Sequence, residues 1–293
     1  MEELRTFMEQ SAGDQVYWLE RDGTSRQIEL HSAPVEVAPI LREALFGAFP
    51  SVVMTSATLA VRGKLDYFRD RIGADEPGAR MLCLGSPFDH ANQMRLHVAE
   101  NAPDPANEEA YGEAVAKGVL QWVRRTGGRA FALFTSEKLM ARTAKAVRRT
   151  LADEGFTLLV QGEGKSNRHM LDMFRRREGE RCVLFGLSSF WMGVDVRGDA
   201  LGNVIITRLP FAVPDHPVTA ARMRRIKENG GSPFHEYSLP EAVLKFRQGF
   251  GRLLRSATDT GVVVVLDSRL LKKNYGRAFF QSLPECPVET FEI

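Results

Sequence analysis

Residues 129–161, RAFALFTSEKLMARTAKAVRRTLADEGFTLLVQ, decide the fold class of this 293-residue chain. The apolar runs at 129–134 and 156–161 predict two strands, and the segment 137–154 between them predicts a helix that ends before Gly155. A strand, a helix and a second strand in this order form a right-handed unit whose strands run parallel in one sheet. The stretch therefore predicts an α/β fold.

The same alternation continues on both sides of this unit. Helices are expected at 108–125, 166–177, about 220–228, about 240–254 and 270–282, with strands at 182–187, 203–209 and 262–266. The runs NVIIT at 203–207 and VVVVL at 262–266 are apolar on both faces, as a sheet covered by helices on both sides requires. We expect a doubly wound, mostly parallel sheet.

The first hundred residues follow a different pattern. The runs 15–21 and 26–32 predict a short β pair, and 35–46 predicts a helix. Residues 51–54, SVVM, predict a buried strand. The segment 87–105 is poor in helix formers and holds one extended run at 95–100, so we interpret it as a connection between two domains.

Composition narrows the class of protein but names no partner. Apolar residues make up 44% and charged residues 26%, and 39 basic against 37 acidic side chains leave a net charge of +2. The three cysteines are far apart, which excludes a disulfide framework and a four-cysteine metal site within the chain. With no signal peptide or membrane span visible, we expect a cytoplasmic protein without a metal or a membrane partner.

Pairs of hydroxyl side chains follow three predicted strands. They are Thr55-Ser56, Thr135-Ser136 and Ser188-Ser189. Ligands of parallel sheets bind at the carboxyl ends of the strands, where hydroxyls and helix amides can hold phosphate oxygens. Any one pair is also typical of an ordinary helix cap. Three pairs in equivalent places favour a surface that contacts a row of phosphate groups.

Residues 164–166, GKS, resemble the end of a phosphate-binding loop. The full pattern needs a glycine five positions earlier, where this chain has Leu159 inside a predicted strand. No D-E-x-H or D-E-x-D tetrapeptide is present to hold Mg²⁺. We therefore expect the chain alone to bind neither ATP nor Mg²⁺. A small ATPase or kinase that uses Lys165 stays open as a hypothesis.

The segment 248–255, QGFGRLLR, carries the strongest chemical signal. On the helix predicted at 240–254, Gln248, Arg252 and Arg255 would share one face, and Gly251 would let another backbone approach it. Two guanidinium groups one turn apart repel each other, so an anionic group is expected opposite them. Polyphosphate fits because arginine can neutralise the charge that develops in phosphoryl transfer.

A second signal is the loop 186–195, GLSSFWMGVD. Gly193 permits a tight backbone approach, and Asp195 is placed to accept a hydrogen bond from a ribose hydroxyl or from the arginine segment. Trp191 suits stacking on a base, although a core tryptophan is the more common use of such a residue.

Together these segments resemble the C-terminal half of superfamily 2 DNA helicases of the DinG/XPD type. The matching runs occur in order and are TSATL at 55–59, LFTS at 133–136, LLVQGEG at 158–164, GLSSFWMGVDVRGD at 186–199 and QGFGRLLRS at 248–256. The runs SPFDH at 86–90 and LDSRLLKKNYG at 266–276 are similar to the bacterial DinG branch.

The resemblance implies two RecA-like motor domains with ATP between them and single-stranded DNA across both. Residues 1–90 would be the remnant of the first motor domain and 91–293 the second. The phosphate-binding loop, the Mg²⁺ motif and the cysteine cluster of the family are absent from this chain, so it would need the missing N-terminal motor domain as a partner. The family also implies 5′-to-3′ unwinding and a role in DNA repair.

The resemblance assigns roles to residues by motif. Arg252 and Arg255 would be arginine fingers beside Gln248, and Gly193, Asp195 and Gly251 would contact the nucleotide. Contacts to the DNA backbone would come from Thr135, Ser136, Ser188 and Ser189, and coupling between DNA and ATP from Thr55, Ser56 and Thr58.

We therefore expect the C-terminal part of an ATP-dependent DNA helicase, a hydrolase that uses ATP and Mg²⁺ when complete but is inactive as this chain alone. The alternative is a stand-alone nucleic-acid-binding module without catalysis.

Overall fold

The computed structural model of the chain describes residues 2–11, 13–21, 27–74, 78–176, 181–191 and 201–293. These residues form two compact units. The smaller unit joins Met1–Cys83 with Phe211–Ala242, and the larger unit joins Leu84–Pro210 with Val243–Ile293.

The elements are numbered in chain order. The helices are α1 (Glu2–Glu9), α2 (Ala38–Leu41), α3 (Asp66–Ile72), α4 (His90–Gln93), α5 (Glu108–Thr126), α6 (Glu137–Asp153), α7 (Asn167–Arg176), α8 (Ser188–Trp191), α9 (Pro217–Glu228), α10 (Leu239–Phe250), α11 (Arg269–Lys272) and α12 (Gly276–Phe280). The strands are β1 (Gln15–Arg21), β2 (Ile28–Pro34), β3 (Met94–Ala99), β4 (Ala130–Leu133), β5 (Thr157–Val160), β6 (Cys182–Gly186), β7 (Asn203–Ile206), β8 (Gly261–Val265) and β9 (Val288–Phe291). Arg42–Phe46 and Phe234–Ser238 form π-helical turns.

A seven-stranded sheet forms the centre of the larger unit, in the order β5-β6-β4-β7-β8-β3-β9. Every neighbouring pair is parallel. The central strands β4, β6 and β7 are buried along their whole length. Because successive residues of a strand point to opposite faces, this burial shows that both faces of the sheet are covered. The predicted α/β, doubly wound, RecA-like fold is confirmed.

Long helices cover one face of the sheet and end where their caps require. In α5, Asn107 caps the N-terminus by accepting from the Ala110 amide at 3.3 Å, and Gly127 ends the helix with a left-handed φ of 69°. Trp122 of α5 and Val147 of α6 are fully buried in the core cluster with Phe134. No helix in the described ranges is both long and apolar enough to cross a membrane.

Two expectations for the first hundred residues are wrong. The segment 87–105 is not a simple connection, because it contains β3, which pairs with both β8 and β9 and buries Leu96 and Val98 completely. Residues 51–54 form no strand, and the side chain of Val53 is 87% exposed. A strand needs a neighbour to satisfy its backbone, and the described part of the smaller unit offers this segment none.

The smaller unit is built on an antiparallel pair, β1 and β2, as predicted. Helix α9 belongs to the same unit, where Arg222 donates to the Val35 carbonyl at 2.8 Å and Arg225 pairs with Asp14. In α3, the Tyr67 hydroxyl donates to the Glu241 carboxylate at 2.5 Å. Burial and the neighbouring Glu241 charge raise the pKa of Tyr67 well above its usual value.

Candidate functional site

Polar side chains gather at one edge of the sheet in the larger unit. Thr135-Ser136 follow β4, Gln161 follows β5, and Ser188-Ser189 follow β6. These three strands are neighbours in the order β5-β6-β4 and run parallel, so their carboxyl ends lie side by side. The structure thus places two of the three predicted hydroxyl pairs at adjacent positions on the edge where such sheets bind ligands.

One of the two hydroxyl side chains after β4 already has a structural partner. The Ser136 hydroxyl caps α6 by accepting from the Leu139 amide at 3.4 Å. Thr135 is half-buried. Helix capping, the ordinary use of a hydroxyl after a strand, therefore applies to Ser136, and its contact with DNA stays a prediction.

The hydroxyl of Ser189 lies in a small network that sequence analysis missed. It accepts from the side-chain amides of Gln161 and Asn167, each at 3.0 Å. The Gln161 carbonyl oxygen in turn accepts from the Leu187 backbone amide at 2.7 Å. The strand predicted at 156–161 includes Gln161, whereas β5 ends at Val160 and leaves Gln161 at the edge of the sheet. Neither Gln161 nor Asn167 therefore carried a signal for this role.

The third predicted set of hydroxyl side chains lies in the smaller unit. Thr55, Ser56 and Thr58 lie in a segment without regular secondary structure, where the Ser56 hydroxyl accepts from the Thr58 amide at 3.3 Å. Thr55 and Ser56 are exposed. Their coupling role stays a prediction.

The arginine segment differs from its predicted geometry. Helix α10 ends at Phe250, so Gln248 is helical while Arg252 lies in a turn and Arg255 beyond it. The expectation that all three share one helix face is wrong. The backbone tightens at this point, where the Arg252 amide donates to the Gly249 carbonyl at 3.1 Å. Glycine is a poor helix former, which favours an end here.

Asp259 holds the chain after the helix. Its carboxylate is 7% exposed and accepts from the Arg255 amide at 2.7 Å, the Ser256 amide at 2.9 Å and the Ser256 hydroxyl at 2.6 Å. The side-chain amide of Gln93 donates to the carbonyls of Ala257 at 3.0 Å and Asp259 at 2.9 Å. The backbone at Arg255 is therefore fixed by side chains that sequence analysis did not identify.

We expect Asp259→Asn to lower the free energy of unfolding by about 1–3 kcal/mol, because the two backbone amides would donate to a neutral carbonyl and the Ser256 hydroxyl would lose its carboxylate acceptor. Urea denaturation measures this as a lower midpoint at an unchanged slope. The matched control is Asp153→Asn, whose carboxylate is exposed and 3.8 Å from Arg149, and its effect should stay within about 0.5 kcal/mol. Equal midpoints for the two variants would contradict the assignment.

Arg252 is anchored to the segment that follows β6. Its Nε–H donates to the Trp191 carbonyl at 3.0 Å. This bond uses one of the five N–H groups of the guanidinium. Trp191 is the last residue of α8, the short helix that starts with Ser188 and Ser189. One turn of helix therefore connects the candidate DNA contacts to a candidate arginine finger.

Trp191 is a core residue. The ring is fully buried, and its indole N–H donates to the Phe134 carbonyl at 3.1 Å. The Lys245 ammonium lies 5.6 Å from the ring centroid, and burial lowers the pKa of Lys245. Stacking of this ring on a base is therefore wrong, and the alternative of a core tryptophan is confirmed.

The close approach expected at Gly251 occurs at Gly249 instead. A Cβ added to Gly249 would lie 2.8 Å from the Trp191 ring, whereas at Gly251, which is exposed, the nearest atom would be the Arg247 carbonyl oxygen at 3.3 Å. Gly249 is therefore the position that the packing requires to be glycine. The contact of Gly251 with a nucleotide stays a prediction.

The remaining candidates are Gly193, Asp195 and Lys165, whose roles stay predictions. Gly193 and Asp195 lie outside the described residues. Lys165 is exposed, and Ser166 accepts from the His169 amide at 3.2 Å at the start of α7. In the ranges that the structure describes, no three histidine, cysteine or acidic side chains gather as a metal site.

Comparison with known proteins identifies the family of the chain. The family described as "Helicase C-terminal domain" matches residues 119–286. The chain is 40% identical over 271 residues to "ATP-dependent DNA helicase YoaA" of Escherichia coli, and 37% identical over 273 residues to "ATP-dependent helicase DinG" of Mycobacterium tuberculosis. Each alignment covers 92% of this chain, and 41% and 40% of the relatives, respectively.

The chain thus spans about two fifths of the length of these relatives. Two solved structures, named XPD_APO and XPD_Helicase, share its fold with TM-scores of 0.66 and 0.65 at 16% identity. They cover 98% and 97% of this chain, which covers 57% and 50% of theirs. The chain belongs to the helicase C-terminal domain family, and it is similar to the bacterial YoaA and DinG helicases.

Proposed function

We propose that this chain is the second motor domain, with part of the first, of an ATP-dependent DNA helicase. In this proposal Gln248, Arg252 and Arg255 face the ATP phosphates, and the carboxyl edge of β4 and β6 contacts single-stranded DNA. The observation that carries the proposal is α8, which begins with Ser188 and Ser189 and ends at the carbonyl that anchors Arg252. A shift of DNA against the start of this turn would move its other end and the guanidinium with it.

The chemistry assigned to the arginines is stabilisation of charge. Phosphoryl transfer places developing negative charge on the phosphate oxygens, and a positioned guanidinium lowers the barrier by neutralising it. Anchoring at Trp191 O and at Asp259 supports this role, because a preorganised cation needs no reorganisation during the reaction. The contacts to the β-phosphate and Mg²⁺ belong, in this proposal, to the first motor domain.

Exposed apolar segments support a missing first motor domain as partner. Val53 in the run 51–54 and Leu82 in the run 81–84 are 87% and 76% exposed. Both runs have the composition of buried strands yet form none. We infer that they become strands when the sheet of the first motor domain is present, so that residues 1–90 complete that domain and 91–293 form the second. Unwinding polarity and a DNA-repair role rest on the family resemblance, a cytoplasmic location rests on the sequence patterns given above, and all three stay predictions.

Reconstitution tests the proposal. The chain is mixed with, or fused to, a polypeptide that carries the G-x-G-K-T and D-E-x-H motifs, and phosphate release is measured with and without single-stranded DNA. We expect DNA-stimulated ATP hydrolysis from the combination and none above background from this chain alone.

Two outcomes would contradict the proposal. DNA binding without hydrolysis in any combination would favour the stand-alone nucleic-acid-binding module. Hydrolysis by the chain alone that is lost in Lys165→Ala would favour the small ATPase or kinase, and would make the incomplete loop at 164–166 the nucleotide site.

A further inference from the structure

We propose that Gln161 and Asn167 are positioning residues that turn Ser189 into an outward hydrogen-bond donor for a phosphate oxygen of single-stranded nucleic acid. The inference rests on the proposed function and deepens it, because it states which atom of the ligand this edge of the sheet contacts and which side chains make that contact possible.

The orientation of the Gln161 side chain follows from its backbone partner. The Leu187 amide can only donate, so the Gln161 atom 2.7 Å from it is the carbonyl oxygen. The other end of the same amide, the NH₂ group, therefore faces the Ser189 hydroxyl at 3.0 Å. One backbone contact thus determines which way hydrogen bonds run through the network.

The Ser189 hydroxyl is consequently polarised. A hydroxyl has two acceptor lone pairs and one O–H donor. The amides of Gln161 and Asn167 both donate to the Ser189 oxygen, each at 3.0 Å, and these two bonds occupy both lone pairs. The capacity that remains is the donor, and the side chain is exposed at the edge of the sheet.

A donor at this place selects among the groups of a nucleic acid. Phosphate oxygens only accept hydrogen bonds and are negatively charged, so a hydrogen bond donated to them is stronger than one donated to a neutral acceptor on a base edge. The site therefore favours the backbone over base edges, and it would position a strand without reading its sequence.

The sheet supplies the rigidity that this arrangement needs. Gln161 follows β5 and Ser189 lies just after β6, and these strands are parallel neighbours. The Gln161 amide continues the ladder by donating to the Phe185 carbonyl at 3.0 Å. A site with a supporting residue held at the end of a paired strand keeps its geometry better than one on loops alone.

The test measures binding of a fluorescently labelled single-stranded oligodeoxynucleotide to the full chain by anisotropy. Gln161→Glu keeps the acceptor for the Leu187 amide, but its carboxylate takes the Ser189 hydrogen. We expect about a tenfold or greater loss of affinity. Asn167→Asp should behave alike for the same reason. The control Gln281→Glu makes the same charge change on an exposed residue outside this network, and it should change affinity less than about twofold.

A mutant cycle separates this role from simple repulsion of the strand by a new charge. Ser189→Ala should weaken binding and leave the dependence of log K on log salt nearly unchanged, because a neutral hydroxyl releases no counterion from the phosphate. In the Ser189→Ala background, Gln161→Glu should reduce the affinity for DNA by a several-fold smaller factor than it does in the wild-type chain. The reason is that the hydroxyl whose hydrogen the new carboxylate would accept is absent.

The outcomes distinguish the two proposals. If the wild-type chain binds DNA but Gln161→Glu and Asn167→Asp bind as tightly as the control, or if the losses add fully in the cycle, the positioning role is wrong and the proposed function survives. If the wild-type chain does not bind single-stranded DNA at all, the proposed DNA-binding surface itself is overturned.

Discussion

Arg252→Ala is expected to lower kcat for DNA-stimulated ATP hydrolysis by about 10³–10⁵-fold in the reconstituted enzyme, the range that an arginine finger contributes to phosphoryl transfer. The reason is that the guanidinium stabilises charge present mainly in the transition state, so kcat falls much further than ATP affinity. Phosphate release under saturating ATP and a separate nucleotide-binding measurement check the two parts of this expectation.

Arg252→Lys is expected to restore little of this activity. The Nε–H of Arg252 is held at the Trp191 carbonyl at 3.0 Å, and a guanidinium can keep that bond while its terminal nitrogens face a phosphate. A single ammonium cannot serve both partners. The control is Arg149→Ala, because the Arg149 side chain is 95% exposed on α6. If Arg252→Ala lowers kcat no more than the control does, the proposed role of Arg252 as an arginine finger is wrong.

Trp191→Ala is expected to lower the free energy of unfolding of the larger unit by about 3–5 kcal/mol, the usual cost of truncating a buried aromatic side chain. The ring is fully buried, and the variant also leaves the Phe134 carbonyl without its indole donor. Chemical denaturation measures the loss. Trp18→Ala is the comparison, because that ring is only half-buried and stacks on His31, so its replacement should cost clearly less.

The contact between Trp191 and Gly249 gives a sharper form of this prediction. Gly249→Ala alone should cost about 1–3 kcal/mol, because its Cβ would lie 2.8 Å from the ring. In the Trp191→Ala background the clash with the ring is absent, the nearest remaining atom is Cδ1 of Leu133 at 3.2 Å, and alanine is the better helix former by up to about 1 kcal/mol. The same substitution should then cost clearly less than it does in the wild-type chain. A cost that is equal in both backgrounds would show that the ring does not restrict this position.

The architecture was predictable because it depends on local patterns. Runs such as 129–134 and 203–209 are apolar on both faces, and each is joined to a helix of sufficient length, which leaves a parallel sheet as the one way to bury them. The same patterns placed polar residues after strands and hence at one edge of the sheet. The order of the motifs was enough to identify the family that the comparisons then confirmed.

The details of the site depend on contacts between distant residues, which no local pattern records. Periodicity continues a helix to residue 254, but the carboxylate of Asp259 captures the amides of Arg255 and Ser256 and holds the chain in another path. Likewise, the sequence alone allows Trp191 to stack on a base, whereas in the folded chain Gly249 and the Phe134 carbonyl lie against its ring.

Local patterns of residues are therefore enough to specify the fold class, the family and the edge of the sheet that carries the candidate contacts, because apolar periodicity and motif order are properties of neighbouring residues. The end of α10, the burial of Trp191 and the hydrogen bonds from Gln161 and Asn167 to Ser189 emerge only in the folded chain. Each of these features depends on a hydrogen bond or a packing contact between segments that come together only when the sheet has formed.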